Sequence, residues 1–143
     1  MTPPEAPDAA GDLIPGAARP FWEASRERRL VLPRCRPCEA AFWFPRAICP
    51  VCGSDRIEWF ESAGRGVVHA SSVHHRPPSR DFDLESPYVV ALVELAEGIR
   101  MMTNIVECAP QDVAAGMEVQ PCWHPLPDGR HLLRFRPAVG TDT

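Results

Sequence analysis

The sequence predicts a mainly β protein: a short N-terminal helix, a small cysteine-built module, and a five-stranded antiparallel barrel. Three observations predict it. Two Cys-x-x-Cys pairs, Cys35-Arg36-Pro37-Cys38 and Cys49-Pro50-Val51-Cys52, stand ten residues apart. Short strand-like segments fill residues 57–135, separated by Gly, Pro and Asp-Gly turn signals. Seventeen prolines in 143 residues disfavour long helices.

Residues 1–18 are rich in Pro, Ala, Gly and Asp and hold no aromatic, so they read as a disordered tail. From Phe21 to Leu32 there is neither Gly nor Pro, and Pro20 suits a first helical turn, which places a helix over about 20–29. Phe21 and Trp22 are neighbours and project about 100° apart on such a helix, so they cannot share the centre of one face; either one packs inward and the other meets a partner protein, or, as preferred, both pack internally.

Four cysteines at this spacing supply four thiolates, the donor set of a closed tetrahedral Zn²⁺ site. Pro37 and Pro50 stiffen the knuckles, and Gly53 permits the positive φ that ends one of them. Iron accepts the same ligands, and two disulfides would need an oxidising compartment for which the N-terminus carries no signal peptide. With every coordination position filled by sulfur, the metal is structural. Zinc contributes about 10–16 kcal/mol to folding in peptides of this kind. Ala41-Phe42-Trp43-Phe44-Pro45, between the knuckles, is expected to form the hairpin of a rubredoxin-like zinc ribbon.

Beyond Gly53 the period becomes two. Ile57 to Glu61, Val67 to His75, Tyr88 to Leu95, Ile99 to Glu107, Met117 to Trp123 and His131 to Phe135 read as strands. The first two are expected to form one long strand bent at Gly64-Arg65-Gly66, giving five in all. Closure removes the exposed edges of such a set, and an OB-fold fits best, with an SH3-like barrel as the alternative. The expected organisation is a tail at 1–18, helix and ribbon at 19–55, barrel at 56–137 and a second tail at 138–143.

Composition excludes several functions. The formal charge is −4, and fifteen arginines occur with no lysine, so Schiff-base chemistry is absent. Overall acidity argues against a protein built to clamp phosphate backbones, although seven arginines against three acids between Arg26 and Arg56 give the cysteine region a basic face. No apolar run reaches membrane-span length, and the chain reads as cytoplasmic. Cys108 and Cys122 stand alone. His69, His74, His75, His124 and His131 have no adjacent nucleophile motif, and Gly64-x-Gly66 is too short for a dinucleotide fingerprint.

Phe21-Trp22, Leu30 with the four cysteines, Gly64-Arg65-Gly66-Val67, Pro87 to Leu95, Gly116-Met117-Glu118-Val119 and Phe135-Arg136-Pro137 follow one another in a recognisable order. That order resembles the zinc-ribbon/OB-fold family known as domain of unknown function thirty-five, the acyl-CoA-associated zinc-ribbon OB-fold proteins. The resemblance spans about 19–137. It departs at Glu39, where the family's first knuckle usually ends in Gly.

The resemblance implies a non-catalytic accessory subunit. Its partner would be a thiolase-superfamily enzyme (thiolase, acyltransferase or aldolase) of lipid, steroid or polyketide metabolism. The small protein would bridge catalytic subunits and help form an acyl-CoA site or channel. Phe21 and Trp22 are then candidate partner-binding residues. Arg65, Arg76, Arg80 and Arg100 are candidate anchors for CoA phosphates, which guanidinium groups pair with bidentately. The competing function is a single-stranded nucleic-acid binder, with Trp59, Phe60 and Tyr88 as stacking platforms.

Overall fold

The computed structural model describes residues 16–78, 84 and 86–138. Two compact units divide the chain, 1–61 with 125–131 and 62–124 with 132–143.

The first unit holds helix α1 (Arg19–Ser25) and strands β1 (Val31–Cys35) and β2 (Ile57–Glu61). Pro20 does enter the first turn of α1, but the helix stops at Ser25, four residues short of expectation. The chain then turns through Arg28 at φ 57°. Ser25 is fully buried, and its hydroxyl bonds back to the Trp22 carbonyl at 2.6 Å, a local competitor of helix continuation. Gly16–Ala18, expected within the tail at 1–18, makes a 3-10 turn with Ala18 buried. Residues 1–15 lie outside the described residues.

The sheet of this unit is not the expected hairpin at 41–45. It is a long-range pair, Val31 opposite Glu61 through Cys35 opposite Ile57. The segment after the first knuckle contributes one bridge, Ala41 to Arg34. Ile57–Glu61 therefore belongs with the ribbon rather than with the barrel, which moves the expected boundary at 55/56 to about 61/62. Alternation correctly made it a strand but carries no information about its partner. Segment 125–131 packs in the same unit: Arg26 donates to the Asp128 carbonyl at 2.8 Å, and the His131 N–H donates to Ser25 Oγ at 3.1 Å.

The second unit is a closed barrel in the order β3 (Gly66–His74), β4 (Tyr88–Leu95), β5 (Arg100–Ile105), β7 (His131–Pro137), β6 (Glu118–Pro125). Five strands with one parallel contact, Ile105 beside Phe135, match the OB-fold expectation. The first barrel strand begins at Gly66, so Gly64–Gly66 lead into it rather than bend it; the irregularity falls between Val68 and Ala70. Gly66 is required by close packing, since a Cβ there would stand 2.5 Å from Val93 Cγ1. Val68, Val93, Leu95, Val119 and Phe135 fill the interior and are each 2 % exposed or less. Ala138, expected in the second tail, is tied to the sheet, its N–H on the Glu118 carbonyl at 2.9 Å; residues 139–143 lie outside the described residues.

Candidate metal centre

Cys35 ends β1, Cys38 follows after one tight turn, and Cys49 and Cys52 repeat that turn in the second knuckle. The four Sγ atoms all lie within 4.8 Å of one another. Cys35 and Cys52 are 3.5 Å apart, and Cys38 and Cys49 are 3.7 Å apart. Zn–S bonds of about 2.3 Å at tetrahedral angles put sulfurs about 3.8 Å apart, so the residues present fit the ion. Each knuckle supplies one buried sulfur, Cys35 or Cys49, and one exposed one, Cys38 or Cys52.

The two knuckles are backbone copies. The Glu39 N–H donates to the Cys35 carbonyl at 2.8 Å, and the Gly53 N–H donates to the Cys49 carbonyl at 3.0 Å. Cys35 N–H reaches the Ala40 carbonyl at 2.9 Å, and Cys49 N–H reaches that of Ser54 at 2.8 Å. Both turns end in the left-handed region, Gly53 at φ 82° and Glu39 at φ 64°. Glu39 thus adopts the glycine conformation directly, and the departure seen in the sequence leaves the knuckle intact.

Backbone donors prepare the sulfurs for charge. The N–H groups of Val51 and Cys52 point at Cys49 Sγ from 3.3 and 3.4 Å. Burial pushes the Cys49 thiol up, but the Cys52 and Val51 N–H groups, with the Cys38 and Cys35 sulfurs, bring it down to about 6. For Cys35 the Cys38 N–H pulls down, while burial and the Cys52, Cys38 and Cys49 sulfurs push it up to about 12. Four touching thiols cannot all ionise by themselves. A divalent cation removes that conflict, which is why binding it releases protons.

Comparison with known proteins agrees with this geometry. Residues 22–58 match the family described as ChsH2, rubredoxin-like zinc ribbon domain, and residues 59–124 match ChsH2, C-terminal OB-fold domain. A DUF35 domain-containing scaffold protein of Pyrococcus furiosus is 37 % identical over 130 residues, covering 85 % of this chain and 93 % of that one. The chain belongs to the DUF35 family. The four cysteines are its zinc-ribbon ligands. A solved structure described as the Ltp2-ChsH2(DUF35) aldolase is 42 % identical with a TM-score of 0.79, covering 88 % of this chain and 98 % of that one. A probable enoyl-CoA hydratase alpha subunit of Thermomonospora curvata is 45 % identical over 120 residues, 83 % of this chain. The present chain spans 37 % of that relative's length.

Phe21 is buried, its ring edge-on to Trp22 at 5.3 Å and to Trp43 at 5.0 Å, so it serves the chain's own packing. Trp22 is half-buried with the Arg130 guanidinium 5.2 Å over its ring, a cation–π pair. Trp59 and Phe60 sit on β2 in the ribbon, with Arg34 4.6 Å over Phe60, and Tyr88 is 8 % exposed and stacked on His74. The aromatic trio considered for base stacking is therefore not a barrel platform.

The arginines are not one cluster. Arg65 and Arg100 share an end of the barrel: Arg65 lines a groove of about 1110 Å³ between the starts of β3 and β6, and Arg100 pairs with Glu94 at 3.4 Å. Arg76 lies past the other end of the nine-residue strand β3 and does not share that end with them. Arg80 lies outside the described residues.

Sequence reading missed one contact, Ser72 Oγ to His74 Nε2 at 2.9 Å. Spacing of two on a strand signals it, because it puts both side chains on one face. Both residues are exposed, and among the described residues nothing holds the other ring nitrogen, so the pair lacks the orienting group of a catalytic dyad. Cys122 donates to Glu107 at 3.4 Å, and burial, then that carboxylate, pushes its thiol up, away from nucleophile chemistry. No helix among the described residues is long and apolar enough to cross a membrane.

Proposed function

We propose that this chain is a non-catalytic accessory subunit of an acyl-CoA-processing enzyme, acting in the cytoplasm. One observation carries the reading: the metal site is closed by four thiolates, in a chain whose near full-length counterpart is named a scaffold protein. A metal with no open position holds shape and performs no Lewis-acid step. The Ltp2-ChsH2(DUF35) aldolase pairs a DUF35 component with a second protein, and the Thermomonospora relative is named as a hydratase subunit; both support an enzyme partner here. The partner is a thiolase-superfamily enzyme. The chain bridges its subunits, and the groove beside Arg65 contributes to the path of the shared acyl-CoA substrate.

Co-expression with a thiolase-superfamily subunit from the same host tests this. The expected result is a hetero-oligomer by size exclusion with light scattering, and turnover or solubility of the enzyme that falls when this chain is omitted. A chain that stays monomeric beside that enzyme, with turnover unchanged, would falsify the proposal.

A further inference from the structure

Strand β3 is longer than barrel closure requires. It pairs with β4 to its far end, where His74 stands opposite Tyr88. On its other side β6 reaches only Gly66 and Val67. Val68 makes the last contact there, its N–H on the Met117 carbonyl at 2.9 Å and its own carbonyl accepting from the Gly116 N–H at 2.8 Å. From Ala70 to His74 that side carries no strand and no other backbone hydrogen bond among the described residues. Alternate residues of an antiparallel strand turn both N–H and C=O to the same side, so this edge offers a row of unmet donors and acceptors.

The edge is fixed, exposed and unguarded. Its neighbour β4 is held on the far side by β5, from Val89 opposite Ile105 to Glu94 opposite Arg100. Residues 69–75 are all exposed. From Gly66 to His75 there is no Pro, Lys, Arg, Asp or Glu, the residues that block strand addition. The one irregularity, between Val68 and Ala70, precedes the open stretch.

We infer that Ala70–His74 pairs edge to edge with the same segment of a second copy of this chain, joining two barrels through one continuous sheet. Two observations select that occupant. Along 70–74 both faces of β3 are exposed, so an added strand finds no core to enter on either side. It must itself lack an apolar stripe, as this segment does: Ala70, Ser72 and His74 line one face, Ser71 and Val73 the other. The segment also matches itself. Antiparallel pairing about a two-fold at Ser72 sets Ser72 against its counterpart, Ser71 against Val73 and Ala70 against His74. No like charges meet, and Val73, 41 % exposed, is partly covered across the pair. So short an edge is small beside a standard interface of about 1,600 Å², which makes the dimer reversible and concentration-dependent. The inference stands apart from the accessory-subunit reading.

Analytical ultracentrifugation of the zinc-loaded full chain, from micromolar to millimolar concentration, tests the pairing. The variants are Ser72→Asp, Ser72→Lys and, as a control on an exposed residue of β5, Met102→Ser. The Ser72 side chain is exposed and hydrogen-bonds only to His74, at 2.9 Å, so a charge there leaves the barrel interior intact. Wild type is expected to dimerise reversibly. Ser72→Asp or Ser72→Lys sets like charges against each other and should weaken the dimer at least tenfold, and an equimolar mixture of the two should restore it as a heterodimer. Met102→Ser should match wild type. Thermal midpoint and zinc per chain are measured for each. If a charge at Ser72 lowers the midpoint, wild-type amide exchange decides: protection of 70–74 that rises with concentration supports the pairing, and constant protection overturns it. Wild type that is monomeric throughout, a Ser72→Asp dimer within twofold of wild type, or a mixture that stays monomeric overturns it as well. A monomer whose 70–74 amides become protected only on adding the thiolase-superfamily subunit overturns the homodimer and gives the edge to that enzyme.

Discussion

In the ribbon unit the buried apolar side chains come from short pieces: Phe21 on the helix, Leu30, Val31 and Leu32 before the first knuckle, and Phe42 after it, joined by the ligands Cys35 and Cys49. In the barrel unit they come from five strands in alternation, as in β4, where Tyr88, Val89, Ala91, Val93 and Leu95 are all buried. The barrel has a continuous apolar interior closed by its own hydrogen bonds, whereas the ribbon has two strands of five residues and long stretches of irregular chain. A two-stranded sheet is marginal by itself. The difference teaches that sulfur and metal replace in one unit what alternation supplies in the other.

The largest effect expected from that contrast is on the metal. Cys35→Ser or Cys49→Ser, or a strong chelator, should remove roughly 10 kcal/mol of metal-coupled folding from the ribbon. Acid should act in the same direction, since protons compete for the thiolates and the stabilisation is lost as pH falls. Trp22, Trp43 and Trp59 lie in the ribbon unit and Trp123 alone in the barrel unit, so tryptophan emission should report mainly ribbon unfolding. Amide exchange should show β4 and β5 still protected. Equal loss of protection in both units would break the comparison.

The complementary change is Phe135→Ala. This side chain is fully buried, and its carbonyl accepts the Val106 N–H at 2.8 Å in the parallel contact that closes the barrel. Truncation should cost about 3–5 kcal/mol by denaturant melting. Bound zinc per chain should stay at one. Loss of zinc in this variant would show that the ribbon's metal site depends on the barrel's apolar interior.

The same contrast explains what could be read from the sequence. The cysteine site was legible in full because metal ligation fixes spacing locally. Tyr88–Leu95 was legible to the residue because every residue in it but Glu94 is apolar, the near-continuous run of a central strand. Pairing was not. Ile57–Glu61 has the composition of any strand, and its partner β1 lies more than twenty residues upstream, across both knuckles. The aromatic run at 41–45 suggested a hairpin because strands favour such residues, yet Trp43 packs edgewise on Phe21 and Phe44 faces outward. The exposure of Phe44, Ile48 and Val51 was hidden for the same reason: an apolar segment reads as core until its surroundings are known.

The smallest effects lie within the ribbon itself, where two copies of one turn differ in a single residue. Gly53 and Glu39 occupy the same place after their knuckles, both at positive φ. A Cβ at Gly53 would meet nothing within 4 Å, so Gly53→Ala tests backbone strain alone and should cost about 1–2 kcal/mol. Glu39 already bears that strain. Glu39→Gly relieves it, but glycine also loses more freedom on folding, which returns about 0.5–1 kcal/mol. The net expectation is a gain of about 0–1.5 kcal/mol, with zinc affinity raised rather than lowered, as measured by competition with a chromogenic chelator. The opposite signs at two equivalent positions are the point of the pair. If Glu39→Gly weakens zinc binding, the Glu39 side chain contributes something beyond geometry, and the two knuckles are copies in backbone only.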